Sequence, residues 1–288
     1  MAMSVVRICR YPVKGLSAED LERVMLTAGQ CLPHDRRFAL AHAATHFDPT
    51  RPEWLPKTSF LMLMRDEKLA QLRTHFDERS GEFTIERDGH MLLKAEMTDP
   101  SRRESMSAFF AEFLRDAVTG TPRVVEAPGH TFSDAKQKPN STTYQYVSLV
   151  NLASIRALEQ VVQVPVDPLR FRANLYIDGV PAWTEFDWVG SELMVGRARL
   201  QIVSRIIRCA ATTVNPATAE RDLNVPTHLQ QSFGHGHMGI YGEVVGSGEI
   251  VTGDAVLLNE TRPLSQVGSP RLAPDALRPP VKPGVRRG

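Results

Sequence analysis

The sequence predicts a mainly β fold with a few helices, built of barrels rather than of a doubly wound α/β sheet. Three observations lead there. Short segments with period-two alternation or a brief apolar run recur along the whole chain. Turn dipeptides such as Asp88-Gly89, Asp178-Gly179 and Gly253-Asp254 punctuate them. Helical spacing is confined to residues 102–118 and 152–162.

In chain order, strands are expected over residues 5–11, 38–42, 82–87, 91–96, 174–178, 192–195, 199–207, 240–245 and 255–258. The first helix should place Met106, Phe109, Phe110, Phe113 and Leu114 on one face, and Ser101 three residues before Glu104 reads as a capping box. The second carries Leu152, Ile155, Leu158 and Val162 at helical spacing, with Ser148 or Asn151 near its start and Pro165 beyond its end. Pro and Gly interrupt the pattern over 120–139, which marks a boundary between two units. From about Asn259 onward the chain is rich in Pro, Arg and Gly without periodicity, the composition of a disordered tail.

Composition narrows the function. The 288 residues carry 34 Lys+Arg against 33 Asp+Glu, so no general charge draws the chain to nucleic acid or an anionic membrane. No apolar run approaches the roughly 20 residues of a membrane span, and the start lacks the apolar stretch of a secretory signal. The three cysteines, Cys9, Cys31 and Cys209, form no CxxC pair, and three are too few for an ordinary iron–sulfur cluster. A reducing, cytoplasmic compartment is therefore expected. P-loop, GxSxG and HExxH motifs are absent. Gly234-His235-Gly236-His237-Met238-Gly239 matches G-x-G-x-x-G in letters only, because a strand-like segment follows where the dinucleotide fingerprint needs a helix. It reads instead as a glycine-bearing loop at the rim of a site, and its two histidines alone make a weak zinc signal.

Two groups of residues remain as candidates. Cys209 closes an apolar strand, with Arg205 and Arg208 nearby to favour the thiolate, which suits a nucleophile or a soft-metal ligand. A buried cysteine acting as a small hydrophobe is the plainer alternative, and Cys9 and Cys31 read that way. The second group is basic: Lys14, Arg36, Arg37, Arg170 and Arg172 stand beside aromatic and apolar residues. Taken singly they are surface or barrel-rim residues; only convergence on one anion makes them a site.

Several motifs then fall in a shared order. They are Tyr11-Pro12-Val13-Lys14-Gly15, His34-Asp35-Arg36-Arg37-Phe38, Arg170-Phe171-Arg172-Ala173-Asn174 and Arg208-Cys209-Ala210-Ala211-Thr212-Thr213-Val214. Gly239-Ile240-Tyr241-Gly242-Glu243-Val244 and Gly248-Glu249-Ile250-Val251-Thr252-Gly253-Asp254 close the series. Together they resemble a MOSC domain protein with its N-terminal β-barrel partner, an architecture shared with the mitochondrial amidoxime-reducing component and its bacterial relatives.

The resemblance implies a MOSC N-terminal β-barrel-like α+β domain over 1–125, a β-barrel MOSC domain over 126–258 and the tail over 259–288. It implies the molybdenum cofactor (molybdopterin) bound between the two, with Cys209 as thiolate ligand of molybdenum and catalytic residue. Lys14, Arg36 and Arg172 would meet its phosphate and pterin. Ser148, Asn151 and Asn174 would be hydrogen-bonding neighbours, and Gly15 and Arg208 complete the binding set. Asp254 or Glu243 would relay protons. Nothing in it points to pyridoxal phosphate.

The implied activity is two-electron reduction of N-hydroxylated small molecules, or of N- or S-oxides. The rival is a carrier of the cofactor, or of sulfur on Cys209, without turnover. Three departures stand out. Gly15 replaces a serine of the eukaryotic relatives, and neither their membrane anchor nor a fused ferredoxin domain is seen. The expectation is a soluble protein fed by a separate ferredoxin, flavoprotein reductase or haem protein.

Overall fold

The computed structural model describes residues 2–136, 141 and 143–259. The tail predicted over 259–288 lies outside them, save Asn259. The strands are β1 (Ser4–Arg10), β2 (Glu19–Leu21), β3 (Arg23–Leu26), β4 (Ala39–Ala41), β5 (Arg73–Asp77), β6 (Glu82–Arg87), β7 (His90–Glu96) and β8 (Arg123–Val125). They continue as β9 (Val147–Asn151), β10 (Leu175–Asp178), β11 (Glu192–Val195), β12 (Ala198–Ile207), β13 (His237–Gly246), β14 (Gly248–Val251) and β15 (Val256–Asn259). Helices are α1 (Glu104–Leu114), α2 (Leu152–Val162) and α3 (Val225–Phe233). The mainly β class holds.

One eight-stranded sheet, in the order β15-β11-β12-β13-β9-β10-β1-β2, dominates. Its pairs are antiparallel except β9 with β10. The sheet curls until its two ends meet: Val256 N–H donates to Met3 O at 3.0 Å and Val5 N–H to Asp254 O at 2.9 Å. Inside the curl lie Ile8, Val147, Leu149, Leu200, Ile240 and Val256, all buried. Helices α2 and α3 cover its outer side through Ile155, Leu158, Val225 and Leu229. A second core, around Phe38, Phe76, Phe83, Ile85 and Phe110, joins α1 to the β5-β6-β7 meander. Chain position and sheet membership do not coincide, because β1 and β2 belong to the sheet that the C-terminal half builds.

Local sequence accounts for most of these elements. The Asp88-Gly89 pair turns β6 into β7 with both residues at positive φ (52° and 77°), the geometry a two-residue hairpin favours. Asn151 caps α2 by accepting from Ala153 N–H at 3.0 Å. The expected capping box at α1 does not form. Asp99 instead accepts from Ser101 N–H at 2.9 Å, because Pro100 starts a 3₁₀ turn before the α-helix proper. The supposed rim loop over 234–239 is mostly regular: Gly234 ends α3 in the left-handed conformation, and β13 begins at His237.

Candidate functional site

The chain leaving β1 runs through residues 11–15 against the turn at 34–38. Arg36 N–H donates to Tyr11 O at 2.7 Å, Phe38 N–H to Pro12 O at 3.0 Å, and Lys14 N–H to Phe38 O at 2.9 Å. The Asp35 carboxylate accepts from Tyr11 N–H at 2.9 Å. Phe132 N–H closes the unit by donating to Arg36 O at 2.8 Å. Segments far apart in sequence thus become one rigid wall.

The Arg170-Phe171-Arg172 motif is the facing wall. Arg36 Nη2 donates to Arg172 O at 2.8 Å, and both guanidinium groups lie over the Tyr11 ring, at 4.5 and 4.3 Å. Both arginines hold φ at 50°, a left-handed conformation that costs a non-glycine residue about 1 kcal/mol and persists where the surroundings impose it. Arg172 also donates to Leu16 O at 2.6 Å. Arg208, past the end of β12, donates to Phe171 O at 2.7 Å and to Met238 O at 2.8 Å.

Between these walls opens a cavity of about 510 Å³. Lys14, Gly15, Arg36, Ser148, Arg172, Asn174, Arg208 and Cys209 all line it. Asn151 does not. Fully buried, it caps α2 and donates to Pro181 O at 2.9 Å and to the Glu185 carboxylate at 3.2 Å. Asn151→Ala is expected to lower stability by about 1–2 kcal/mol, the cost of a lost cap plus an unsatisfied partner. Ligand binding to the folded protein should be unchanged; urea denaturation checks the first point and calorimetry the second. Asp254 and Glu243, the suggested proton relays, do not line the cavity either. Asp254 accepts from Val251 N–H at 2.8 Å, and buried Glu243 accepts from Ser141 Oγ at 2.6 Å.

Ser148 and Asn174 form part of the cavity wall and are largely committed to each other. The Ser148 hydroxyl donates to Asn174 Oδ1 at 2.8 Å and accepts from Asn174 N–H at 3.0 Å. Gly15 has φ +85°, and a Cβ there would stand 3.1 Å from Leu61 O. Gly15→Ala is therefore expected to cost about 1 kcal/mol or more, read as a lower urea midpoint at unchanged slope.

The cavity's charge is one-sided. Lys14, Arg36, Lys57, Arg170, Arg172, Arg205 and Arg208 line it against Asp35 and Asp134. Lys14 pairs with Asp134 and donates to Phe132 O at 2.8 Å; burial still pulls its pKa down. Burial works to raise the Asp134 carboxyl, but Lys14 overrides it and holds it below the usual range. At Arg36, burial opposes the charge and Asp35 outweighs it, so the group stays firmly protonated. Burial pushes Arg172 down to about 10 and lowers Arg208 as well. The described hydrogen bonds of these two guanidinium groups go to backbone carbonyls. Two half-buried guanidinium groups therefore face the cavity without a salt bridge among the described residues, although Asp35 and Asp134 act on Arg172 from a distance.

Cys209, half-buried, sits where β12 gives way to a 3₁₀ turn, and its carbonyl accepts from Thr212 N–H at 3.0 Å and Thr212 Oγ1 at 2.9 Å. Cys9 and Cys31 lie off this cavity, and burial pushes both thiols up to about 12, which keeps them protonated at neutral pH.

Lys57, Asp134, Tyr146 and Tyr241 also line the cavity, and sequence reading missed them. Lys57, Asp134 and Tyr146 belong to no motif, and Tyr241 stands in the 239–244 motif without a site role read for it; only the fold brings the four together.

Fold and site define a curled β-barrel protein whose two walls enclose a basic, anion-accepting cavity with a cysteine on its lining. Residues 2–121 match the MOSC N-terminal beta barrel domain and residues 130–257 the MOSC domain. The chain belongs to the MOSC family, which as a whole points to oxidoreductase activity related to the molybdenum cofactor.

Among curated relatives, mitochondrial amidoxime-reducing component 1 of Homo sapiens is 27% identical over 107 residues, covering 36% of this chain and 31% of that protein. Its Mus musculus counterpart is 29% identical over 118 residues, covering 37% and 34%. The matched stretch thus spans about a third of those relatives. The solved YUAD protein from Bacillus subtilis aligns over 89% of this chain and 94% of its own, at 13% identity and a TM-score of 0.39, too distant to carry an argument.

The residues present fit an anionic pterin cofactor. The guanidinium groups of Arg172 and Arg208 form no salt bridge among the described residues and suit an anion. Buried Ser133 Oγ, Arg170 Nε and His237 Nδ1, all on cavity-lining residues, lack a hydrogen-bond partner that a polar ligand would supply. Among the described residues no three of His, Cys, Asp and Glu gather as a metal site. A single cysteine sulfur suits a metal whose other ligands arrive with a cofactor, and Cys209 offers one on this cavity.

Proposed function

We propose that this chain is a molybdenum-cofactor-dependent reductase of N-hydroxylated compounds, or of N- or S-oxides. The net reaction replaces N–OH by N–H and releases water, consuming two electrons and two protons. The electrons come from a separate donor, a ferredoxin, flavoprotein reductase or haem protein. The observation that carries this reading is the presence of Cys209 on the same cavity as the half-buried guanidinium groups of Arg172 and Arg208, whose described hydrogen bonds go to backbone carbonyls.

Arg172 and Arg208, with Lys14 and Arg36, would hold the cofactor's phosphate and pterin, and Cys209 would anchor its metal. When bound, the cofactor supplies the two-electron redox change that none of these side chains provides. The protein's own part is positioning. The Tyr11–Arg36–Arg172 stack fixes two cations before any ligand arrives, so little ordering is left to do on binding. The Ser148–Asn174 pair keeps part of the wall rigid, and the Thr212 bonds fix the Cys209 backbone.

The test is turnover by protein purified from a host that makes the cofactor. With chemically reduced viologen, benzamidoxime should be converted to benzamidine. No conversion by fully loaded protein would favour the carrier reading.

A further inference from the structure

Inside the cavity the cations are anchored: Lys14 on Asp134, Arg36 on Asp35, Arg172 and Arg208 on backbone carbonyls. Arg205 differs. It is exposed, lines the cavity with Cys209, and its guanidinium lies 4.6 Å from the Phe186 ring centre. Among the described residues it forms no ion pair and no side-chain hydrogen bond, whereas Arg208 is held by backbone carbonyls and Arg170 by Asp222; the buried Glu185 carboxylate acts on Arg205 from a distance.

Beside it, Ile207 is 73% exposed and stands opposite His237 across the β12–β13 ladder. Ile206, Ile207 and His237 all line the same cavity, but Ile206, between the two exposed residues, is buried. The His237 Nδ1 is buried without a partner. Burial, then the Arg205 charge, pull the His237 pKa down, so its ring is a neutral donor or acceptor. An apolar side chain, a neutral imidazole and a guanidinium fork without a salt bridge thus line the same cavity as the cysteine. The guanidinium rests over the Phe186 ring without a hydrogen bond among the described residues, and a carboxylate matches the edge of such a fork with two parallel hydrogen bonds.

We propose that Arg205, with Ile207 and His237, selects substrates with an apolar body and a carboxylate: N-hydroxylated carboxylic acids are preferred over their neutral analogues. This deepens the reductase reading and rests on it for the reacting group, but the charge preference is a binding property and is measured without turnover.

Calorimetry on oxidised holoprotein, with no reductant present, would compare 4-carboxybenzamidoxime with uncharged benzamidoxime at low salt. The carboxylate compound should bind about tenfold more tightly, as a charge-assisted pair at a half-open site allows. Arg205→Gln, which keeps a stem over Phe186, should reduce the preference below about twofold, and Arg205→Lys should restore part of it. Equal affinity of the wild-type protein for the two compounds would overturn the proposal, as would a preference that survives in Arg205→Gln. Loss of molybdenum from Arg205→Gln would also overturn it, because Arg205 would then be a cofactor holder. Failure of both compounds to be reduced with viologen would sink the reductase reading and leave the binding comparison to stand by itself.

Discussion

Replacing Cys209 by alanine is expected to lower amidoxime reduction by more than about 100-fold, the loss that removing even an outer partner of a metal ligand can cause. The fold should survive. The side chain is half-buried, and the local turn is held by the Cys209 carbonyl, which the substitution leaves in place. Stability should therefore stay within about 0.5 kcal/mol of wild type. Circular dichroism melts and viologen-linked assays on the same preparations separate the two effects. A variant that keeps wild-type turnover would remove Cys209 from the chemistry.

The second large effect belongs to Arg172. Its charge is buried against backbone carbonyls, at a pKa depressed to about 10 by burial, with Tyr11 partly supporting the charge and Arg36 opposing it. The sign follows from linkage: a base whose folded pKa falls below its unfolded value destabilises the folded state while charged, which includes neutral pH. An anion in the cavity returns that cost. Phosphate should therefore raise the melting temperature of cofactor-free wild-type protein by about 2–4 °C, corresponding to about 1 kcal/mol. Arg172→Met should be at least as stable as wild type without phosphate and should gain less from it, since Lys14, Arg36 and Arg208 remain on the cavity. In the cofactor-loaded protein the order reverses, and the variant should retain little molybdopterin. Destabilisation of Arg172→Met in the absence of any anion would show that the arginine supports the fold instead.

The legible part of the fold is the part with periodicity. Residues 82–87 and 192–195 match β6 and β11, and 152–162 matches α2, because one face of each is apolar and each end carries a turn or cap. Strand β9 went unseen since all five of its residues are buried on both faces, as a strand paired in parallel to β10 inside a covered sheet requires, so nothing alternates. Strand β5 alternates, but its inward residues are Thr74 and Phe76, too few apolar groups to signal a strand. Helix α3 buries only Val225 and Leu229, and its Asn224 cap, Pro226 and Gly234 are the signals that sequence reading passed over.

At the site, the motifs led to residues that do converge, since Lys14, Arg36, Arg172, Arg208 and Cys209 meet on one cavity. They misplaced Asn151, which stands three residues after Ser148 in sequence but turns to cap a helix. Lys57 and Asp134 carry no local pattern at all. Only the docking of their loops against the 11–15 segment makes them part of the wall.

In the proposed function the basic cavity and Cys209 together hold a molybdenum cofactor. Elemental and pterin analysis of protein purified from a cofactor-producing host tests it most directly. The expected result is close to one molybdenum and one pterin per chain, with the metal lost from Cys209→Ala. Properly matured wild-type protein containing neither would contradict the account.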